Sequence, residues 1–186
     1  MKYSVLMRDV VVPVLLCVSL VAEEAPGIWL DIPYVKQSAE GCGAASIAMV
    51  MQYWFAEDGR PPDDRADAAY ILRSLHSRVG HGIYASAMSQ YLQGQGFRTF
   101  LFVGDWNMLQ QHLLQGRPLI VALKPSAIDR SLHYVVVAGM DSQREFILMN
   151  DPAERKFRKL DRATFEKQWG GARRWTLLAL PQQPIR

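Results

Sequence analysis

Helical and strand periodicities are segregated along this chain, and that segregation limits the folds open to it. From Cys42 to about Phe55 the apolar residues Ala45, Ile47, Ala48, Met51, Trp54 and Phe55 recur at the spacing of an amphipathic helix. The polar stretch 57–64, with Gly59, Pro61 and Pro62, stops it. Further helices are expected over 66–77 and 84–93, the second ended by Gly94 and Gly96. Apart from a short strand expected at 29–35, strand signals come later. Residues 97–103, 118–124, 133–140, 145–150 and 174–180 are runs rich in Val, Ile, Leu and Phe. Among these, Asp105 and Asp161 are placed to cap short helices reaching Gln115 and Trp169. Helices first and strands later predict an α+β fold, in which an N-terminal helical half packs on a C-terminal antiparallel β-sheet.

The first 22 residues read as a separate segment. Lys2 and Arg8 precede an apolar run, Val10 to Ala22, which ends abruptly at Glu23-Glu24-Ala25-Pro26. That is the layout of a signal peptide, with cleavage expected after Ala22. A run this short, interrupted by Pro13, ranks a retained N-terminal anchor below cleavage. Val14-Leu15-Leu16 ahead of Cys17 lacks small residues, which ranks lipid attachment lower still. The expected organisation is a signal peptide over 1–22 and a single domain over 23–186, exported to a periplasmic or extracellular location. Cleavage would remove Cys17 and leave Cys42 alone in an oxidising compartment, so no disulfide framework is expected.

Charge narrows the partners. Net charge is +3, from 21 basic and 18 acidic residues, and the basic side chains are scattered. Nucleic acid is therefore not an expected partner, and membrane contact is expected only through an uncleaved N-terminus. The small cluster Arg155, Lys156, Arg158 and Lys159 reads as decoration of an exposed hairpin or turn. His76, His81 and His112 have neither a second cysteine nor zinc-site spacing, and no phosphate-binding glycine loop is present. No metal or cofactor is expected. His81, in a glycine-flanked turn, is placed to border a cleft, and Trp54, Trp106, Trp169 and Trp175 are expected in the core or a groove wall.

The chemistry-bearing residues stand at element boundaries. Cys42, between Gly41 and Gly43, lies where a polar loop turns into the first helix. There the helix dipole and unpaired amides favour thiolate over thiol, and the thiolate is the nucleophile of cysteine catalysis. The runs beginning at His133 and ending at Asp151 flank the polar turn Asp141-Ser142-Gln143-Arg144 and should form a hairpin. Folding it about residue 142 sets His133 opposite Asp151, about 5 Å apart at Cβ, where the carboxylate would orient the imidazole. Pro152 would end the strand. Gln37, five residues before the thiol, has a side-chain amide placed to donate into an oxyanion hole beside the Cys42 N–H.

Gln37, Glu40-Gly-Cys42-Gly-Ala-Ala-Ser-Ile-Ala-Met, Gly82, Pro118-Leu-Ile-Val, His133-Tyr-Val-Val-Val-Ala-Gly and Asn150-Asp151-Pro152-Ala153 together resemble the bacteriocin-processing cysteine peptidases. These are papain-like domains that cut leader peptides after paired glycines. The resemblance runs from about Ile32 to Leu180 and implies a peptide or protein substrate. It further implies Cys42 as nucleophile, His133 as base, Asp151 as its orienting partner and Gln37 as oxyanion donor. Exporter-linked members carry an acidic residue before the cysteine and a glutamine one position further away. Gly41 and the five-residue spacing resemble instead the stand-alone, secreted branch, to which the paired-glycine specificity does not carry over. The expected activity is peptide-bond hydrolysis. Acyl or peptidyl transfer would use the same residues, and a non-catalytic peptide-binding module would keep the cleft with an unreactive Cys42.

Overall fold

A computed structural model describes residues 27–61, 63–125 and 131–182, so the segment read as a signal peptide lies outside the described residues. The elements follow in the order β1 (Ile28–Trp29), α1 (Cys42–Glu57), α2 (Ala68–Leu75), α3 (Ala85–Gly94), β2 (Phe97–Val103), α4 (Trp106–Leu114), β3 (Leu119–Leu123), β4 (His133–Asp141), β5 (Phe146–Asn150), β6 (Arg158–Asp161), α5 (Arg162–Gly171) and β7 (Trp175–Pro181). The strands form one antiparallel sheet in the order β2-β7-β3-β4-β5-β6, with β1 added on β4. The α+β architecture with N-terminal helices on an antiparallel sheet is the observed one.

Both faces of the sheet are covered. Ile120, Ala122, Tyr134, Val136, Ala138, Leu177 and Ala179 pack with α1, α2 and α3. Their neighbours Leu119, Val121, Val135, Val137 and Leu178 pack with Trp106, Leu109 and Leu113 of α4 and Phe165 and Trp169 of α5. Strands buried on both faces read as continuous apolar runs, which is why β3 and β4 carry little polar alternation. Asp105 and Asp161 cap α4 and α5 as expected, accepting from the N–H groups of Met108 and Thr164 at 2.8 Å each.

Helix α1 departs from the amphipathic expectation. Residues 43–51 and 53–55 are all buried, because the small side chains of Gly43, Ala44, Ala45, Ser46 and Ala48 admit neighbours on several sides at once. The Trp54 indole N–H donates to Ala179 O at 3.0 Å, pinning the helix to β7. Of the expected strand at 29–35 only its start joins the sheet. Ile32 N–H turns back onto Leu30 O at 2.9 Å, and Pro33 has no N–H to offer a ladder. Gly94 lies inside α3; the left-handed turn falls on Gly96, at φ +85°.

Gly139 is fixed by β1. A Cβ there would come within 2.5 Å of Ile28 O, so only glycine lets the two strands approach. The basic cluster at 155–159 does lie in a hairpin, but the Arg158 side chain is only 22% exposed there. The cluster's second half opens β6, a strand absent from the sequence-based expectation, paired to β5 with Met149 opposite Arg158.

Candidate active site

The N-terminus of α1 meets the end of the sheet where β4 begins. Cys42 is the first residue of the helix, so its N–H has no intrahelical partner. The turn before it is tight: Gly41 N–H donates to Ser38 O at 3.0 Å, and a Cβ on Gly41 would itself sit 3.0 Å from that oxygen. Gly43 is confined less tightly, with Ile83 at 3.3 Å and Met88 and Tyr134 at 3.6 Å from where a Cβ would sit. The two glycines therefore hold a partly buried thiol at the helix start without bulk on either side.

His133, at the head of β4, hydrogen-bonds through Nε2 to Asp151 Oδ1 at 2.7 Å. Its ring also lies beside the Cys42 thiol, close enough to bring that thiol below an ordinary one. The tautomer is thus set by the carboxylate. The structure brings Cys42, His133 and Asp151 together.

The register that does so is not the expected one. The first ladder pair is Asp141 with Phe146, leaving a four-residue turn at 142–145, and a bulge intervenes between Val137 and Gly139. Val136 then faces Asn150, and the strand ends there. Carried one step further, this register would set Asp151 across from Val135, two residues along from His133. The pair is diagonal, and side-chain reach closes the gap that facing Cβ atoms were expected to close.

Asp151 is held from all sides. Its side chain is 1% exposed. Oδ1 also accepts from Ala153 N–H at 3.0 Å, and Oδ2 accepts from Arg158 Nη1 at 2.9 Å. Tyr34 donates to Asp151 O at 3.2 Å. Gln37 N–H donates to Pro152 O at 2.9 Å, which ties the loop before the thiol to the turn after the carboxylate. Gln37 Oε1 is buried, and among the described residues neither it nor Nε2 has a hydrogen-bond partner. Asn150, fully buried, bridges the same parts: its Nδ2 donates to Ile32 O and its Oδ1 accepts from Phe157 N–H, both at 3.1 Å.

The electrostatics follow from these contacts. Burial pushes the Cys42 thiol up, but hydrogen bonds from His133 and from the Tyr134 N–H, with the His133 charge, bring it below an ordinary thiol. Burial opposes charge on His133, yet hydrogen bonds to Asp151 and Cys42 outweigh it and raise the imidazole to about 9. Asp151 is pushed up by burial and drawn down further by its hydrogen bond to His133, by the His133 charge and the Ala153 N–H, and by Arg158. A thiolate, an imidazolium and a carboxylate in contact is the arrangement these shifts favour.

His81 and His76 gather on Glu40, two residues before Cys42. The carboxylate meets His76 Nε2 at 2.6 Å and His81 Nδ1 at 3.2 Å, tying the turn after α2 to the Cys42 loop. Among the described residues no group of three His, Cys, Asp or Glu side chains is arranged to hold a metal ion. Trp54, Trp106 and Trp169 are buried and Trp175 is half-buried, edge-on to Tyr134 at 5.4 Å between ring centroids. The sequence-based reading gives no site role to Arg158, Asn150, Tyr34 or the Tyr134 N–H. Recognising a second hairpin between β5 and the basic cluster would have set Arg158 beside Asp151.

Solved structures share this fold. The chain aligns with the peptidase domain of Streptococcus ComA, a bifunctional ABC transporter of a quorum-sensing pathway, at TM-score 0.62 and 23% identity, covering 80% of this chain and 97% of that one. It aligns with a C39-like peptidase from Bacillus anthracis at TM-score 0.66 and 16% identity, covering 86% and 100%. A double-glycine-motif protease from an AMS/PCAT transporter, solved with its leader peptide, aligns at TM-score 0.60 and 19% identity, covering 83% and 97%. No curated protein sequence gives a significant match. The family model described as Peptidase C39 like matches residues 29–176, which span every group of the site, and the chain belongs to that family.

Proposed function

We propose that this protein is an exported, papain-like cysteine peptidase with Cys42 as nucleophile, His133 as acid–base, Asp151 as the residue that orients it and Gln37 as oxyanion donor. The observation that carries the reading is the His133–Asp151 hydrogen bond beside the Cys42 thiol at the start of α1. Cys42 Sγ attacks the substrate carbonyl carbon, and the carbonyl oxygen takes the developing charge. Gln37 Nε2 and the Cys42 N–H donate to that oxygen. The imidazolium gives its Nδ1 proton to the leaving amine, the C–N bond breaks, and a thioester remains on Cys42. Nδ1 then takes a proton from water, whose oxygen attacks the thioester and expels the thiolate, restoring the starting charges.

The substrate class is a peptide, in keeping with the family and with the leader peptide bound by the AMS/PCAT protease. Export rests on the basic, then apolar, then acidic layout of the first 26 residues. The test is digestion of a complex peptide mixture read by mass spectrometry. The wild-type chain should generate new termini, and Cys42→Ala and His133→Ala should generate none. Cleavage that persists in Cys42→Ala would overturn the reading.

A further inference from the structure

Asp151 receives two cations on two different oxygens. His133 Nε2 meets Oδ1 at 2.7 Å, while Arg158 Nη1 meets Oδ2 at 2.9 Å. The Arg158 side chain is only 22% exposed, and its Nε is held by Glu154 Oε2 at 2.9 Å. The intervening turn is fastened as well: Asp151 N–H donates to Arg155 O, Glu154 N–H to Asp151 O, and Phe157 N–H to Asn150 Oδ1. A guanidinium in so fixed a frame is built into the site.

We propose that Arg158 is a positioning residue of the triad, whose guanidinium holds Oδ2 and neutralises part of the Asp151 charge, leaving Oδ1 as a moderate acceptor for His133. The proposal rests on the peptidase reading. A carboxylate shared with the imidazolium alone would grip the Nε2 proton and its charge strongly, making His133 a weak acid toward the leaving amine. Paired with Arg158, the same carboxylate still orients the ring but grips its charge less tightly than it would alone. Arg158 thereby sets the pH range over which the Cys42–His133 pair is poised.

The titratable and charged groups around the pair are Cys42 from α1, Tyr34 from the segment after β1, Tyr134 from β4, and Glu154 and Arg158 from the turn and β6. Removing the one guanidinium among them raises the proton affinity of Asp151, His133 and Cys42 together. Both limbs of a pH profile then move upward, by about half a unit to one unit. Removing Glu154, which competes for Arg158, moves them slightly downward.

The experiment follows alkylation of Cys42 in the full chain by iodoacetamide between pH 4 and 10, located by peptide mapping, with hydrolysis rates beside it. Wild type reacting like an ordinary thiol would be a failure of the peptidase reading itself. Given a reactive wild type, Arg158→Gln should shift both midpoints upward and Arg158→Lys, which keeps the cation, should hold them near wild type. Midpoints that stay fixed in Arg158→Gln while the rate falls uniformly, or that move equally in both variants, would overturn the proposal. Should Arg158→Gln fail to give a cooperative melt, Glu154→Gln decides: a downward shift supports the proposal, and a fixed or upward one overturns it.

Discussion

His133 and Asp151 make their 2.7 Å contact from diagonal positions of the β4–β5 ladder, and the contact is closed by side chains beyond the last ladder pair. The carboxylate stays in place because Ala153, Arg158 and the backbone bonds of the Pro152 turn hold it there. What these contacts fix is the position of one acceptor oxygen at the imidazole.

Asp151→Ala should lower kcat/KM by about 10²–10⁴, the usual range for losing an oriented acid–base group. Asp151→Asn keeps an acceptor for His133 and the Ala153 N–H and should retain at least about tenfold more activity than Asp151→Ala. Hydrolysis of one peptide substrate by the three proteins checks this. Equal losses would mean that charge, and not the position of Oδ1, is what His133 needs.

Gln37→Ala should lower kcat by about 10²–10³ with little change in KM, as loss of one oxyanion donor does. Alkylation of Cys42 forms no tetrahedral oxyanion, so its rate should stay within about twofold of wild type. A parallel fall in alkylation would assign the Gln37 side chain to shaping the thiol loop.

Asn150→Ala should cost about 2–4 kcal/mol of stability, because Ile32 O and Phe157 N–H both lose a buried partner. Thermal unfolding measures it, with the melting temperature falling by several degrees for a domain of this size. A change below about 0.5 kcal/mol would show that water satisfies both groups.

Much of this was legible in the sequence because the informative signals are local. The spacing of Ile47, Ala48, Met51 and Trp54, the caps at Asp105 and Asp161, and the runs that became β2 and β3 each depend on a few neighbouring residues. Cys42 at the start of a helix is a local signal too. What escaped was long-range. The bulge between Val137 and Gly139 arises where β1 crosses Gly139, a contact between residues over a hundred positions apart that no turn pattern encodes. Arg158 looked like surface charge because its partner lies across a hairpin whose second strand, Arg158–Asp161, is short and polar. The near-complete burial of α1 was hidden for a similar reason, since its small residues suit a packed helix and an exposed face equally well.

The pH dependence of Cys42 alkylation, wild type against His133→Ala, tests the central claim most directly. Cys42 lies below an ordinary thiol, so its thiolate appears early as pH rises, and His133 keeps its charge until about 9. Between those two limits the reactive ion pair prevails. Wild type should therefore label rapidly near pH 6, and His133→Ala should lose that reactivity and label only as pH approaches about 8.5, the range of a free thiol. Labelling that rises only around pH 8 to 9 in both proteins would contradict the ion pair, and with it the assignment of Cys42 and His133 as nucleophile and base.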